Sequence, residues 1–236
     1  MTFKKNKKII PFRLKDADAY YFRGMSYADA GNTDQAIEDY TRAIELDPRN
    51  ASAYDYRGRF YLHAGEYRKA IYDCNKAIEL NPENYEYYFT RGMVYLFLEK
   101  DEQAIVDFTG SIEIEPECID SYHFRGLAYN NVGDYEKSIE DFNQVIEFEP
   151  NEISAYISRG NAHANNKRFD IAIEDYTKVI KIDSKNAEAY YLRSFANKKL
   201  FNWQEAKDDY STAVSLDPEF VSKADFLFTS QLSSEI

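Results

Sequence analysis

Cysteine, histidine, proline and glycine are all scarce in this chain of 236 residues, with two Cys, three His, six Pro and nine Gly. Cys74 and Cys118 are too few for a disulfide framework and are not spaced as metal ligands, which fits a reducing compartment or indifference to redox. His63, His123 and His163 have no partner one helical turn away, so no two of them can share a helix face as metal ligands. Neither a P-loop nor a glycine-rich dinucleotide turn is present, and no metal or cofactor is expected. No stretch reaches the ~18 consecutive apolar residues of a membrane-spanning helix. The first segment, MTFKKNKKIIPFRLK, is basic but lacks the apolar core of a secretory signal, so a soluble cytoplasmic protein is expected. Positive charge is also short: 29 Lys and Arg stand against 41 Asp and Glu, a formal charge of −12. That balance argues against nucleic acid, whose phosphates need a clustered basic surface.

What is abundant is periodic. Arg-Gly recurs at Arg23-Gly24, Arg57-Gly58, Arg91-Gly92, Arg125-Gly126 and Arg159-Gly160, and Arg193-Ser194 continues the series. The interval is 34 residues with no insertion, dividing the chain into units 17–50, 51–84, 85–118, 119–152, 153–186 and 187–220. Within each unit apolar residues return at helical spacing, as in Ile37, Tyr40, Ala43 and Ile44. A turn such as LDPRN then stops one helix and opens the next. Each unit therefore reads as a helical hairpin that buries its apolar face only by stacking on its neighbours. Ile44 and Leu46 are expected to pack against the following unit. Residues 1–16 read as a basic arm, and 221–236 as a capping helix and tail whose apolar face is Val221, Leu227, Phe228 and Leu232.

The first unit carries Tyr20, Gly24, Tyr27, Ala36, Tyr40, Ala43 and Pro48 at repeat positions 4, 8, 11, 20, 24, 27 and 32. Tyr54, Tyr88, Tyr122, Tyr156 and Tyr190 keep the fourth position, and Pro82, Pro116, Pro150 and Pro218 the thirty-second. On these residues the chain resembles the tetratricopeptide repeat family over residues 17–220. The resemblance implies an all-α, right-handed α-solenoid of six helical hairpins with a C-terminal capping helix. Local departures are Ser111, Val145 and Val179 for the small alanine, Ser184 for proline, and Arg where the family usually has leucine at position 7.

Two features repeat in every unit. Arg23, Arg57, Arg91, Arg125, Arg159 and Arg193 hold position 7, and Asp39, Asp73, Asp107, Asp141, Asp175 and Asp209 hold position 23. A pair present in all units cannot mark a single active site. It reads as a structural ladder of Arg–Asp contacts within or between units, the carboxylate making burial of the guanidinium tolerable. Cys74, at an aromatic position, reads as a small buried hydrophobe rather than a nucleophile. No converging catalytic groups emerge, and the chain is expected not to be an enzyme.

In the family that the chain resembles, first helices line an inner surface that holds peptides. Carrying over those positions gives Phe89, Met93, Phe97, His123, Leu127, Asn130, Asn131, Asn161, Asn165, Tyr191, Lys198 and Lys199 as groove residues, with Asp18, Asp29, Asp55 and Glu86 as acidic edges. Phe22, Tyr56 and Phe124 are expected to pack on neighbouring helices instead. Asparagine amides can pair with both the C=O and the N–H of an extended peptide. Asn130, Asn131, Asn165 and Asn166 also stand near a helix end, where asparagine serves as a terminator. Asn161, in mid-helix, lacks that local reason. The lysine and asparagine pattern of a chaperone-tail clamp is missing. The expected function is a non-enzymatic scaffold that binds a protein or peptide in the groove from about the third to the sixth unit. A homo-oligomer built through the arm or an exposed end, and a regulatory or secreted adaptor, are the alternatives.

Overall fold

The computed structural model describes residues 16–223, which contain twelve α-helices and no strand. The basic arm lies outside these residues, and so does the expected capping helix apart from its first three residues. Those belong to a short 3-10 turn, Pro218–Lys223, that packs on the last α-helix. The chain divides into two compact units at Pro116 and Glu117, each holding three hairpins. The first contains α1 Ala17–Asp29, α2 Thr33–Leu46, α3 Ala51–His63, α4 Tyr67–Leu80, α5 Tyr85–Phe97 and α6 Asp101–Ile114. The second contains α7 Ile119–Val132, α8 Tyr135–Phe148, α9 Ile153–Asn165, α10 Phe169–Ile182, α11 Ala187–Lys199 and α12 Trp203–Leu216. In both units each helix packs on the next, and first helices of successive hairpins touch as well, α3 with α5 and α7 with α9. The fold is an all-α solenoid of hairpins, with the first helices forming one face of each stack.

Boundaries follow from capping chemistry. Proline two residues past the end of a second helix cannot continue it, and in three joints, one of them with Ser184 in place of proline, the asparagine two residues later accepts from the next helix. Asn50 takes the amide of Ala53 at 2.9 Å, Asn84 that of Glu86 at 2.9 Å and Asn186 that of Ala189 at 2.8 Å. Inside a hairpin, one contact sets how close the helices come. The aromatic ring of Tyr40, Phe108, Phe142 or Tyr176 lies against the glycine of the first helix, where a Cβ would meet it at 2.6 to 3.0 Å. These rings are fully buried, each stabilising the fold by roughly 1.5–3 kcal/mol. In the second hairpin Cys74 replaces the ring, and a Cβ on Gly58 finds nothing nearer than 3.4 Å. Ile44 is buried against Ala53 and Tyr54 of the next hairpin, but Leu46 is exposed at the helix end, so only the first of that pair seals the joint.

The arginine at position 7 joins both levels of organisation. In all six hairpins its Nε and Nη2 donate to the two carboxylate oxygens of the aspartate on the partner helix, at 2.5 to 3.0 Å. The remaining Nη1 reaches the preceding hairpin: Arg57 to Thr41 at 3.1 Å, Arg91 to Asn75 at 2.6 Å, Arg159 to Asn143 at 2.6 Å and Arg193 to Thr177 at 2.9 Å. Each guanidinium also lies 5.2 to 5.8 Å from the ring of the tyrosine three residues before it. Arg23 keeps 38% side-chain exposure against 12% for Arg57, because no hairpin among the described residues precedes the first.

Two outcomes are expected in urea titrations. Arg91→Met strands the buried Asp107 carboxylate and lowers stability by about 3–5 kcal/mol, whereas adding Asp107→Leu recovers much of the loss. Gly58→Ala raises stability by about 1 kcal/mol through helix propensity, and Gly160→Ala lowers it because the Tyr176 ring has no room to yield.

Candidate functional site

The first-helix face of the first unit is aromatic and more tightly paired than its composition suggests. Tyr21 and Tyr56 meet edge to face at 5.8 Å, and Tyr56 and Phe60 both stack on the buried Tyr40, at 5.7 and 6.0 Å. Tyr56 thus packs on neighbouring helices, whereas Phe22, expected to do the same, is 60% exposed and meets Tyr21 edge to face at 5.3 Å. Phe89 lies 5.8 Å from the Phe108 ring, Met93 is half-buried beside it on α5, and Phe97 is exposed, with its ring stacked on Tyr67 at 6.4 Å.

The acidic edge is smaller than the sequence implies. Asp18 and Asp29 are exposed, but Asp55 is 1% exposed and accepts from Arg59 Nε at 2.8 Å and from Thr90 Oγ1 at 3.0 Å. Glu86 takes Arg59 Nη2 at 2.8 Å. Burial pushes the Asp55 carboxyl above the usual carboxylate range, opposed by Arg59 and Thr90. Arg59, on the groove side at position 9, is a residue that sequence reasoning missed. Its spacing of four from Asp55 was the available signal.

In the second unit the amides separate into distinct roles. Asn165 Nδ2 donates to Asn130 Oδ1 at 3.1 Å, linking α9 to α7 across a repeat boundary. Asn166 Nδ2 donates to Glu136 at 3.1 Å, and Arg168 grips both oxygens of the same carboxylate. Asn161, the mid-helix residue without a local reason, has one here: its Oδ1 accepts from the buried Tyr176 hydroxyl at 2.8 Å. In the first hairpin Met25 holds the repeat position of Asn161, and the buried hydroxyl of the equivalent ring, Tyr40, has no partner. Asn131 is exposed at the end of α7.

His123 packs edge-on against Phe124 and Phe142, both at 5.5 Å, and lines a cavity of about 310 Å³ with Ile119, Asp120, Glu149 and Glu152. Leu127 is half-buried one turn along α7. Tyr191 lies against Phe220 of the 3-10 turn at 4.9 Å, and Lys199 caps the Phe195 ring at 5.0 Å, with Lys198 half-buried beside it. Burial holds both His123 and His163 below the ordinary histidine range, Glu152 and Asp120 opposing it at His123. His163 is 7% exposed with an unpartnered Nδ1, and the Arg159 and Arg168 charges add to the depression. The Cys74 thiol is fully buried and pushed up by desolvation, which makes it a poor nucleophile. Among the described residues no group of His, Cys, Asp and Glu is arranged to hold a metal ion, and no helix is long and apolar enough to cross a membrane.

Models of the tetratricopeptide repeat match residues 17–50 and 153–186, 51–84 and 187–220, and 74–106, and a TPR repeat model matches 126–167. Among solved structures, MamA protein is 26% identical with a TM-score of 0.66, covering 73% of this chain and 94% of its own. YrrB, described as a TPR protein with an unusual peptide-binding site, is 21% identical with a TM-score of 0.68, covering 77% and 94%. PilF of Pseudomonas aeruginosa is 20% identical with a TM-score of 0.72, covering 89% and 96%. The likeness to the last two is one of fold alone. No curated protein matches the chain by sequence.

Asn161→Ala is expected to lower stability by about 1–3 kcal/mol, because it leaves the Tyr176 hydroxyl buried without an acceptor, and Tyr176→Phe in the same chain offsets much of that loss. His163 binds a proton less readily folded than unfolded, so its contribution is intact above the unfolded value of about 6.5 and declines as pH falls below it. Melting curves from pH 7.5 to 5 should therefore show a smaller acid loss for His163→Tyr than for the natural chain.

Proposed function

The chain belongs to the tetratricopeptide repeat family, and we propose that it acts as a non-enzymatic interaction scaffold whose first-helix face holds an extended segment of a partner protein. The observation that carries this reading is the Asn130–Asn165 pair. One hydrogen bond joins the two amides, so the Asn130 nitrogen and the Asn165 oxygen retain hydrogen-bonding capacity. Whichever way the amides are turned, one donor and one acceptor remain, the complement of a peptide C=O and N–H. An extended backbone is recognised by such a set with little regard to its side chains.

Side-chain selection is assigned to the neighbouring surfaces. His123 and Leu127 supply apolar contact, while Asp120, Glu149 and Glu152 around the same cavity favour a cationic side chain. Asn131, Tyr191, Lys198 and Lys199 extend the same reading along the second unit. In the first unit Phe89, Met93 and Phe97 offer an apolar strip spaced by four residues. Asn161 gives its oxygen to Tyr176, so within this reading it offers the groove its amide nitrogen as a donor only. A formal charge of −12 supports protein rather than nucleic acid as the ligand. YrrB, a TPR protein of the same fold with an unusual peptide-binding site, agrees in kind.

The test is a surface-bound array of 12-residue peptides probed with the labelled chain. Asn130→Ala with Asn165→Ala should weaken capture of the retained peptides about tenfold, the equivalent of two modest hydrogen bonds, at an unchanged melting temperature. Undiminished capture by the double variant would remove the amides from the binding face.

A further inference from the structure

A large crevice lies in the first compact unit, between the second and third hairpins, with a volume of about 630 Å³. Its walls come from the loop after α3, the first turn of α4 and the loop after α5: Glu66, Tyr67, Arg68, Lys69, Ile71, Leu98 and Lys100 among them. Tyr67, Ile71 and Leu98 make it apolar, and the exposed Phe97 ring, stacked on Tyr67, extends that surface. Its charge opposes that of the chain. Three cations line it against the single acid Glu66, which is already bound by Lys69. Arg68 and Lys100 are exposed and form no ion pair among the described residues.

The same place in the repeat register can be read elsewhere in the molecule. Arg68 stands at repeat position 18, and Leu98 and Lys100 at positions 14 and 16 of the next hairpin. Between the fourth and fifth hairpins these positions are Glu136, Asn166 and Arg168. There the carboxylate of Glu136 accepts Asn166 at 3.1 Å and both terminal nitrogens of Arg168, so the two hairpins are latched by a carboxylate. Between the second and third hairpins the acid is replaced by a second cation, and the amide by a leucine. The crevice thus has the basic half of the latch twice over, an apolar wall in place of the amide, and no acid to close it.

We propose that this crevice docks an acidic segment of a partner protein, with a side-chain carboxylate lying between Arg68 and Lys100, where Glu136 lies in the latched joint, and an adjacent apolar side chain against Tyr67, Ile71 and Leu98. Guanidinium and ammonium groups without internal partners carry no pre-existing bond that the ligand must displace. The apolar wall lowers the local dielectric and strengthens the charge contact relative to open solvent. The net charge of the chain repels acidic segments at long range, so binding selects a carboxylate beside an apolar residue rather than acidity alone.

The experiment uses the full chain and a fluorescein-labelled nonapeptide of Glu and Asp around a central Leu-Phe pair, followed by anisotropy at about 50 mM salt, where surface charges are weakly screened. Saturable binding is expected. Arg68→Glu should weaken it tenfold or more, since it supplies the missing latch carboxylate from within. Lys100→Glu should do the same from the other side of the crevice, and both residues are exposed, so the variants are expected to melt as the natural chain does. A Gln and Asn version of the peptide should fail to bind. The proposal is overturned if the acidic peptide does not saturate, if Arg68→Glu and Lys100→Glu leave its affinity unchanged, or if the amide version binds as well. It is also overturned if millimolar inorganic phosphate displaces the peptide completely, since that would mean a simple anion site with no use for the apolar wall.

Discussion

A guanidinium that is held on three sides organises this molecule. Two of its nitrogens close the hairpin onto aspartate, the third reaches a Thr or Asn of the hairpin before, and a tyrosine ring lies against its face. Hairpin closure and hairpin stacking, which in a repeat protein are separable terms, are thereby made to depend on one side chain. The buried charge is not a large source of net stability, because desolvation of the ion pair consumes most of the attraction. What it supplies is register: a planar fork with bidentate geometry fits one alignment of the two helices, and a lysine ammonium would fit many. That explains why arginine stands where a leucine would fill the same space at lower electrostatic cost.

The second constraint is the close approach of helices at the glycine, and it shapes what the neighbouring positions can be. A phenylalanine ring there asks for nothing further, as at Phe108 and Phe142. A tyrosine ring brings a hydroxyl into a dry interior, where it needs an acceptor. Asn161 meets that need for Tyr176, while the first hairpin has Met25 at the same repeat position and Tyr40 goes without. A similar trade occurs at position 11, where tyrosine beside the arginine gives way to His163, whose proton affinity is lowered by burial first and by the Arg159 and Arg168 charges as well. These substitutions look like candidate ligand contacts when read along one helix, and like packing corrections when the facing helix is included.

That difference marks what could be read from the amino acids. The helical hairpins were legible because the 34-residue period, the helical spacing of apolar residues and the proline turns recur without insertion. The Arg–Asp pairing was legible because both residues occur once in every unit. Its third partner was equally periodic, as Thr41, Asn75, Asn143 and Thr177, but short polar residues on a second helix resemble a solvated surface. Repeat register states which face a residue is on, and not which neighbour reaches it. Hence Asn161 looked available, Asp55 and Glu86 looked like free acids although Arg59 holds both, and Leu46 and Phe22 looked buried although both are exposed. The crevice beside Arg68 was hidden for a related reason, since its walls are loop and helix-end residues from two hairpins that are ordinary in isolation.

In a solenoid, recognition has to come from what breaks the repeat, because an identical surface in every unit would bind at every unit. Subtracting the shared framework removes the arginines, the aspartates, the position-4 tyrosines and the packing glycines. Subtracting internal compensation then removes Asn161, Asn166, Arg168 and the Asp55–Arg59–Glu86 network, each of which has its partner inside the chain. What is left carries bonding capacity that the fold itself does not use: an amide pair with a donor and an acceptor to spare, and a cationic, apolar crevice whose closing acid is missing. An unused hydrogen-bonding or ionic group at a surface costs little while water solvates it, so such sites can persist without weakening the framework. The framework has no need of either feature, so both can change while the arginine forks stay as they are.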